Sequence, residues 1–211
     1  MIYEVGCKEL FAPMYDDPIT RNERVSELTL REPFDVLQRN VIGDTIWFQG
    51  FGVHYNLPGW VEKKDLEPAR CSAGDWWADQ ATRRGQAPYK IARELFLDLP
   101  YCWGGSGSSD GIDCSGIVAM AYRLTGIQIP RDSDQQEFFG QTLAQESDLR
   151  QGDLITYGRQ GKATHIAFFV KWAERQAIIL HANGTETMKV EEVHESRRLQ
   201  SIRRRFIRIP F

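Results

Sequence analysis

The first sixty-odd residues alternate short β-rich runs with turn residues. Ser26-Glu27-Leu28-Thr29-Leu30, Phe34-Asp35-Val36-Leu37 and Thr45-Ile46-Trp47-Phe48 carry aliphatic, β-branched and aromatic side chains in runs of strand length. Pro18, Pro33, Gly43, Gly50, Gly52 and Pro58-Gly59 punctuate them, and Gly59-Trp60-Val61 with Asp65-Leu66 closes the set. This pattern predicts a small β-barrel over residues 1–68, followed by a linker from Pro68 to Gly74. From about 75 to 99 the apolar period lengthens to that of a helix. Pro88 interrupts it, and Tyr89, Ala92, Leu95 and Phe96 form a stripe afterwards. A second helical pattern begins at Cys114, with Ile117, Val118, Ala121 and Tyr122 recurring at helical spacing and Gly126 as its stop. After Gly152 the pattern returns to strands: Leu154 to Tyr157, His165 to Trp172, Gln176 to Ala182, Met188 to Val190 and Ile202 to Ile209. Helices followed by an antiparallel meander make residues 75–211 an α+β domain.

Composition narrows the partners. The 211 residues are 42% hydrophobic and 26% charged with a net charge of −3, ordinary for a soluble globular protein. No basic excess calls for nucleic acid, and no apolar run is long enough for membrane insertion. Arg197-Arg198 and Arg203-Arg204-Arg205 are the exception. Interleaved with Ile202, Phe206, Ile207 and Ile209, they read as the solvated face of a last strand; the other reading is a patch for an anionic polymer. Cysteines at 7, 71, 102 and 114 form no CxxC pair, which fits free thiols in a reducing compartment. Met1 to Gly6 lack a basic region followed by an apolar core. If Met1 is the natural start the expectation is a cytoplasmic protein; a trimmed chain would instead derive from a secreted or periplasmic one.

The candidate chemistry gathers where a glycine-rich loop, Tyr101-Cys102-Trp103-Gly104-Gly105, leads to Asp113-Cys114-Ser115-Gly116. Cys114 falls at the start of a helix, where unpaired N–H groups and the positive dipole end collect. A free thiol titrates near ~8.5, and such a position with a nearby imidazolium brings it to roughly 3.5–7.5. A nucleophilic thiol needs a base, and the base an orienter. Of His54, His165, His181 and His194, two lie on consecutive predicted strands. If those strands pair around Ala173-Glu174-Arg175, position 167 faces 181, and His165 and His181 become diagonal neighbours on one face, about 7–8 Å apart at Cα. A register shifted by one would separate them.

These pieces together resemble the NlpC/P60 family of papain-like cysteine peptidases. The matching residues are Pro100 to Gly105, Asp113 to Gly116, Ile129-Pro130-Arg131-Asp132-Ser133, Gly152-Asp153-Leu154, Thr164-His165-Ile166-Ala167 and Leu180-His181-Ala182. The N-terminal pattern, from Ala12-Pro13-Met14-Tyr15 to Gly59-Trp60-Val61, resembles a bacterial SH3 (SH3b) domain. The resemblance implies a papain-like fold, helices packed on an antiparallel sheet, behind a small SH3-like barrel. It implies that Cys114 attacks, His165 acts as base and then acid, and His181 orients His165. The substrates it implies are muropeptides, cut between γ-D-glutamate and the diamino acid, with no cofactor and no metal. Asp113 matches an acidic residue that recognises the free amine of an N-terminal L-alanine, and it is equally a helix N-cap. Tyr101 would assist the Cys114 N–H in holding the oxyanion. Ser115, Trp103, Asp132 and Ser133 match other cleft positions, and Tyr55 is the barrel aromatic expected to close the cleft. Three rival readings stay open: a zinc site on Cys114, His165 and His181; an N-acetylmuramoyl amidase or acyltransferase; and a catalytically silent wall-binding module. A Cys102–Cys114 disulfide switch is a further possibility.

Overall fold

The structure, a computed structural model, describes residues 4–8, 11–21, 23–53, 55, 57–108, 110–159 and 161–211; Met1 and His54 lie outside them. The N-terminal alternation builds seven strands: β1 (Glu4–Cys7), β2 (Phe11–Tyr15), β3 (Arg24–Thr29), β4 (Pro33–Ile42), β5 (Thr45–Gly52), β6 (Gly59–Glu62) and β7 (Leu66–Pro68). They form one antiparallel sheet in the order β3-β2-β6-β5-β4-β1-β7. Cys7, Ala12, Met14, Leu28, Phe34, Tyr55 and Val61 give this sheet a core of its own.

The helical stretch divides into α1 (Ala73–Gln80) and α2 (Pro88–Phe96). Pro88 opens α2 rather than kinking a longer helix, because proline at the first position lacks only an N–H that would be unpaired anyway. The buried stripe of α2 is Tyr89, Ala92 and Phe96 with Ile91; Leu95, expected among them, is exposed. A two-stranded ribbon, β8 (Ser106–Ser108) and β9 (Gly111–Ile112), precedes α3 (Cys114–Thr125). α3 starts at Cys114 under the Asp113 cap and ends at Gly126, whose φ of 89° is the left-handed closing position. A short α4 (Ser133–Gln136) follows.

The second sheet comprises β10 (Gln141–Leu143), β11 (Leu154–Arg159), β12 (Lys162–Ala173), β13 (Gln176–Asn183), β14 (Lys189–His194) and β15 (Arg203–Arg208), with α5 (Arg197–Gln200) before the last. Its order is β10-β15-β11-β12-β13-β14. β11 to β14 are the expected meander. β15 departs from it by returning to pair with β11 on the opposite side. The reason lies in its two apolar faces: Ile207 packs into the core under α3, and Phe206 against the cluster of Leu143, Leu149, Ile155, Tyr157 and Phe169. β10 pairs with its other edge, which makes β15 an interior strand.

The β12–β13 register is Phe168 opposite Leu180 and Phe169 opposite Ile179, so continuing it puts 167 opposite 181. The expected pairing is reached by an unexpected route. The turn has two residues, Glu174 and Arg175, both with positive φ, and a bulge between Phe169 and Lys171 absorbs the extra one.

The N-terminal sheet is fastened to the loop that leads into Cys114. Glu27 accepts from the Ser106 N–H at 2.9 Å, and Arg24 pairs with Asp110 at 3.0 Å. A Cβ on Gly104 (φ +71°) would lie 2.2 Å from the Arg24 carbonyl oxygen, so only glycine lets β3 approach this closely. No helix among the described residues is long and apolar enough to cross a membrane.

Candidate active site

The floor of the site is a closed polar network. The Asp113 carboxylate accepts from the backbone N–H groups of Gly104 (2.8 Å) and Gly116 (2.6 Å) and from the Ser115 hydroxyl (3.2 Å). Arg131 grips it with both ends of its fork, Nη1 at 2.9 Å and Nη2 at 2.8 Å. The same guanidinium donates to Ser115 Oγ and the Gly105 carbonyl. Arg131 and Asp113 are 1% and 6% exposed, so the pair is desolvated and mutually dependent. This overturns one expectation: with five donors on it, Asp113 has nothing left to offer an ammonium. It is the helix cap and the partner of Arg131. Arg131 itself was in the matched motif without a role, since a pairing across 18 residues leaves no local trace.

Above the floor, the sheet delivers the imidazoles. His165 Nε2 and His181 Nδ1 are 2.8 Å apart, with the rings edge-on at 79°. His181 Nε2 lies 3.4 Å from Glu191 Oε1, which also accepts from Asn183 Nδ2 at 2.7 Å. Glu191 sits directly opposite His181 across β13 and β14. It completes a relay, Glu191–His181–His165, that leaves Nδ1 as the ring nitrogen of His165 outside it. Sequence reasoning missed Glu191 because nothing within β14 alone marks it; the register does. The mutual bond between the histidines uses the nitrogens that a shared zinc would need, and among the described residues no group of three His, Cys, Asp or Glu forms a metal cage.

The sulfur is more enclosed than its helix-start position implies. Burial pushes the Cys114 thiol up to about 12, and the Asp113 charge adds to this. The Ile166 N–H, the Arg131 guanidinium and the Ser115 N–H pull the other way. His165 is held down to about 3 by burial, then by His181 and the Arg198 charge. His181 is lowered as well, chiefly by burial, with Glu191 opposing. These shifts run against the expected resting thiolate: they favour a neutral thiol and neutral imidazoles.

A cleft of about 390 Å³ opens on the sulfur. Cys114, Asp113, Ser115, Trp103, Asp132, Ser133 and Tyr55 all line it, so seven of the ten expected site residues meet there. His165 on β12 and His181 on β13 are not among its lining residues, although Lys162, Ala163 and Thr164 of β12, just before His165, are. Tyr101 is set back: its ring fills the space a Gly184 side chain would need, 2.5 Å from that Cβ position, and its hydroxyl is held protonated by burial and by Cys114. From the N-terminal region the cleft takes Val25 of β3, Tyr55 and Leu57 of the segment between β5 and β6, and Glu23 just before β3; of these only Tyr55 was expected. Tyr55 is raised to about 12 by burial and the Asp132 charge, so it stays a neutral donor. Asp132 is raised by burial, against the pull of Arg131. No described residue donates a hydrogen bond to its carboxylate. The free Cys102 thiol faces Arg24 Nη1 at 3.4 Å.

The NlpC/P60 family model matches residues 98–204, just over half the chain. The chain belongs to the NlpC/P60 family. Cys114, Arg131, His165, His181 and Glu191 all fall within the matched span. Among curated relatives, a γ-D-glutamyl-L-lysine dipeptidyl-peptidase of Bacillus cereus is 42% identical over 80 residues, which are 36% of this chain and 23% of that protein. The murein DD-endopeptidase MepH of Escherichia coli is 40% identical over 100 residues, 44% of this chain and 37% of that protein. The chain thus spans well under half the length of these relatives. An NlpC/P60 family protein from Bacillus cereus shares the fold with a TM-score of 0.50 at 21% identity, over 96% of this chain and 62% of its own. NlpC1 from Trichomonas vaginalis does so at 0.51 and 16%, over 99% and 92%. At such identities the likeness is one of fold.

Proposed function

We propose that this NlpC/P60 chain is a cysteine endopeptidase that hydrolyses peptidoglycan stem peptides at the γ-D-glutamyl–diamino acid bond, in muropeptides whose N-terminal L-alanine is free. The observation that carries it is the bonded His165–His181 pair on β12 and β13, with Lys162 to Thr164 of β12 lining the same cleft as Cys114 and as the carboxylates Asp132 and Glu23, which form no ion pair with a described residue. His165 takes the thiol proton, the sulfur attacks the carbonyl carbon, and the oxyanion is held by the Cys114 N–H at the first helical position. The imidazolium then protonates the leaving nitrogen, and water releases the thioester. His181 and Glu191 fix the ring of His165 and stabilise its charged form.

The free-amine preference rests on Asp132 and Glu23 rather than on Asp113. Both carboxylates line the cleft, and neither forms an ion pair with a described residue. An ammonium beside them, with the Tyr55 hydroxyl, would supply the missing charge. We read residues 1–68 as an SH3b-type module, in keeping with its seven short strands and separate core, and 75–211 as the catalytic domain. Its contribution to the cleft wall is what makes it part of the enzyme.

Incubation with L-Ala-γ-D-Glu-L-Lys, free and N-acetylated, with mass spectrometry of the products, tests the reading. L-Ala-γ-D-Glu and lysine should appear from the free peptide, much less from the blocked one, and none with Cys114→Ala at an unchanged melting temperature. A cut at the L-Ala–D-Glu bond instead, or no cleavage at all, would sink it.

A further inference from the structure

The part of the basic C-terminal run on β15 is engaged with acids. Arg203 pairs with Glu137 at 2.6 Å, Arg204 with Glu195 and Glu146 at 3.1 and 2.7 Å, and Arg208 with Asp153 at 2.7 Å. Arg205 reaches Glu137 at 4.0 Å and donates to Thr142. These arginines are structural, which removes the polymer-binding patch. Arg197 and Arg198 on α5 are both exposed and without an ion pair among the described residues, and Arg198 alone of the two reaches a side chain. Its Nη2 donates to the Thr185 hydroxyl at 3.0 Å.

That one bond ties it to the catalytic relay. Thr185 gives both its N–H and its hydroxyl to Asn183 Oδ1 at 3.0 Å, and Asn183 Nδ2 donates to the Glu191 oxygen that faces His181. A continuous chain therefore runs from Arg198 through Thr185, Asn183, Glu191 and His181 to His165. It fixes a cation at the far end of the imidazole relay, close enough for its charge to act on both histidines. The carboxylates Asp132 and Glu23 line the cleft that holds the acyl half. Glu186 is the nearby anion, on the same turn as Thr185, yet Arg198 turns to the hydroxyl instead.

The leaving nitrogen receives its proton from His165, so the leaving amino acid occupies the imidazole side. We propose that Arg198 is a specificity-determining residue that binds the free α-carboxylate of the amino acid C-terminal to the scissile bond. This rests on the peptidase reading above. The site would then be polarised to match its substrate, anionic where the amine enters and cationic where the carboxylate leaves, favouring tripeptides with a free C-terminus.

The test compares kcat/KM on L-Ala-γ-D-Glu-L-Lys and its C-terminal amide for the native chain, Arg198→Gln, Arg198→Lys and Arg197→Gln. One charge-assisted hydrogen bond corresponds to a native preference for the acid of roughly tenfold or more. Arg198→Gln should erase the preference by losing activity on the acid alone, Arg198→Lys should keep part of it, and Arg197→Gln all of it. The ratio between substrates cancels any change in the imidazole itself. Equal native rates on acid and amide overturn this inference alone, as does a uniform loss on both in Arg198→Gln. Failure of the native chain to cut either peptide overturns the peptidase reading, and this inference with it.

Discussion

Two carboxylates flank Arg131 and have opposite fates. Asp113, below the cleft, is saturated: two backbone N–H groups, a hydroxyl and both arms of the guanidinium occupy it. Asp132, adjacent to Arg131 in sequence, feels the same positive charge but receives no hydrogen bond from a described residue, and it faces the cleft. One builds the floor and the other is available to substrate. Residue type and a place on the cleft beside Cys114 do not separate them; the donors around each do. The largest effect should come from breaking the floor. Arg131→Met leaves a buried carboxylate without its cation, at a cost of about 3–5 kcal/mol. That corresponds to a drop of roughly 10 °C in a thermal melt for a chain of this size. A midpoint within about 2 °C of the native one would show that the floor is not held as drawn.

Asp132→Asn should do the reverse. Its carboxylate supports no network, so the melting temperature should stay within about 2 °C. KM for the free-amine tripeptide should rise about 10- to 100-fold, the range of an interaction with a charged group, with kcat little changed. The N-acetylated peptide should be indifferent. If Asp132→Asn destabilises as Arg131→Met does, or leaves KM alone, the division between floor and wall is wrong.

The parts of this site that were legible in the sequence are those whose determinants lie close together in the chain. The helix from Cys114 to Gly126 carries its own cap, stripe and stop, and the hairpin register that joins His165 to His181 follows from two strands and a turn. The parts that were not legible depend on distant pairings. Arg131 reaches back 18 residues to Asp113, Glu191 is placed by the β13–β14 register, and Glu23 arrives from just before β3. β15 was expected to extend the meander because its alternation fits any antiparallel strand; it lies instead between β11 and β10. The thiol shows the same limit. Its position at a helix start argues for an anion, whereas enclosure by Asp113, Tyr101 and the sheet, visible only in three dimensions, prevails.

The subtlest test of floor against wall is the acid side of the pH profile. An unperturbed site would lose activity as its histidine protonates near ~6.5 and its carboxylates near ~4. Here that order is reversed: burial holds His165 down to about 3 and raises Asp132 above 3.8. As the pH falls from neutrality, His165 remains a neutral base while Asp132 takes up a proton and ceases to attract the substrate ammonium. The acid limb of kcat/KM on the free-amine tripeptide should therefore lie below 6.5 and belong to Asp132. The alkaline limb should follow the substrate's own α-amine, near ~8, well before the buried thiol titrates. In Asp132→Asn the lower limb should move to more acid pH, because the group that sets it is gone and the imidazole titrates later. A limb that stays near 6.5 in both proteins would mean that the imidazole is far more solvated than the relay from Glu191 implies. The wall would then have no part in setting the response to acid.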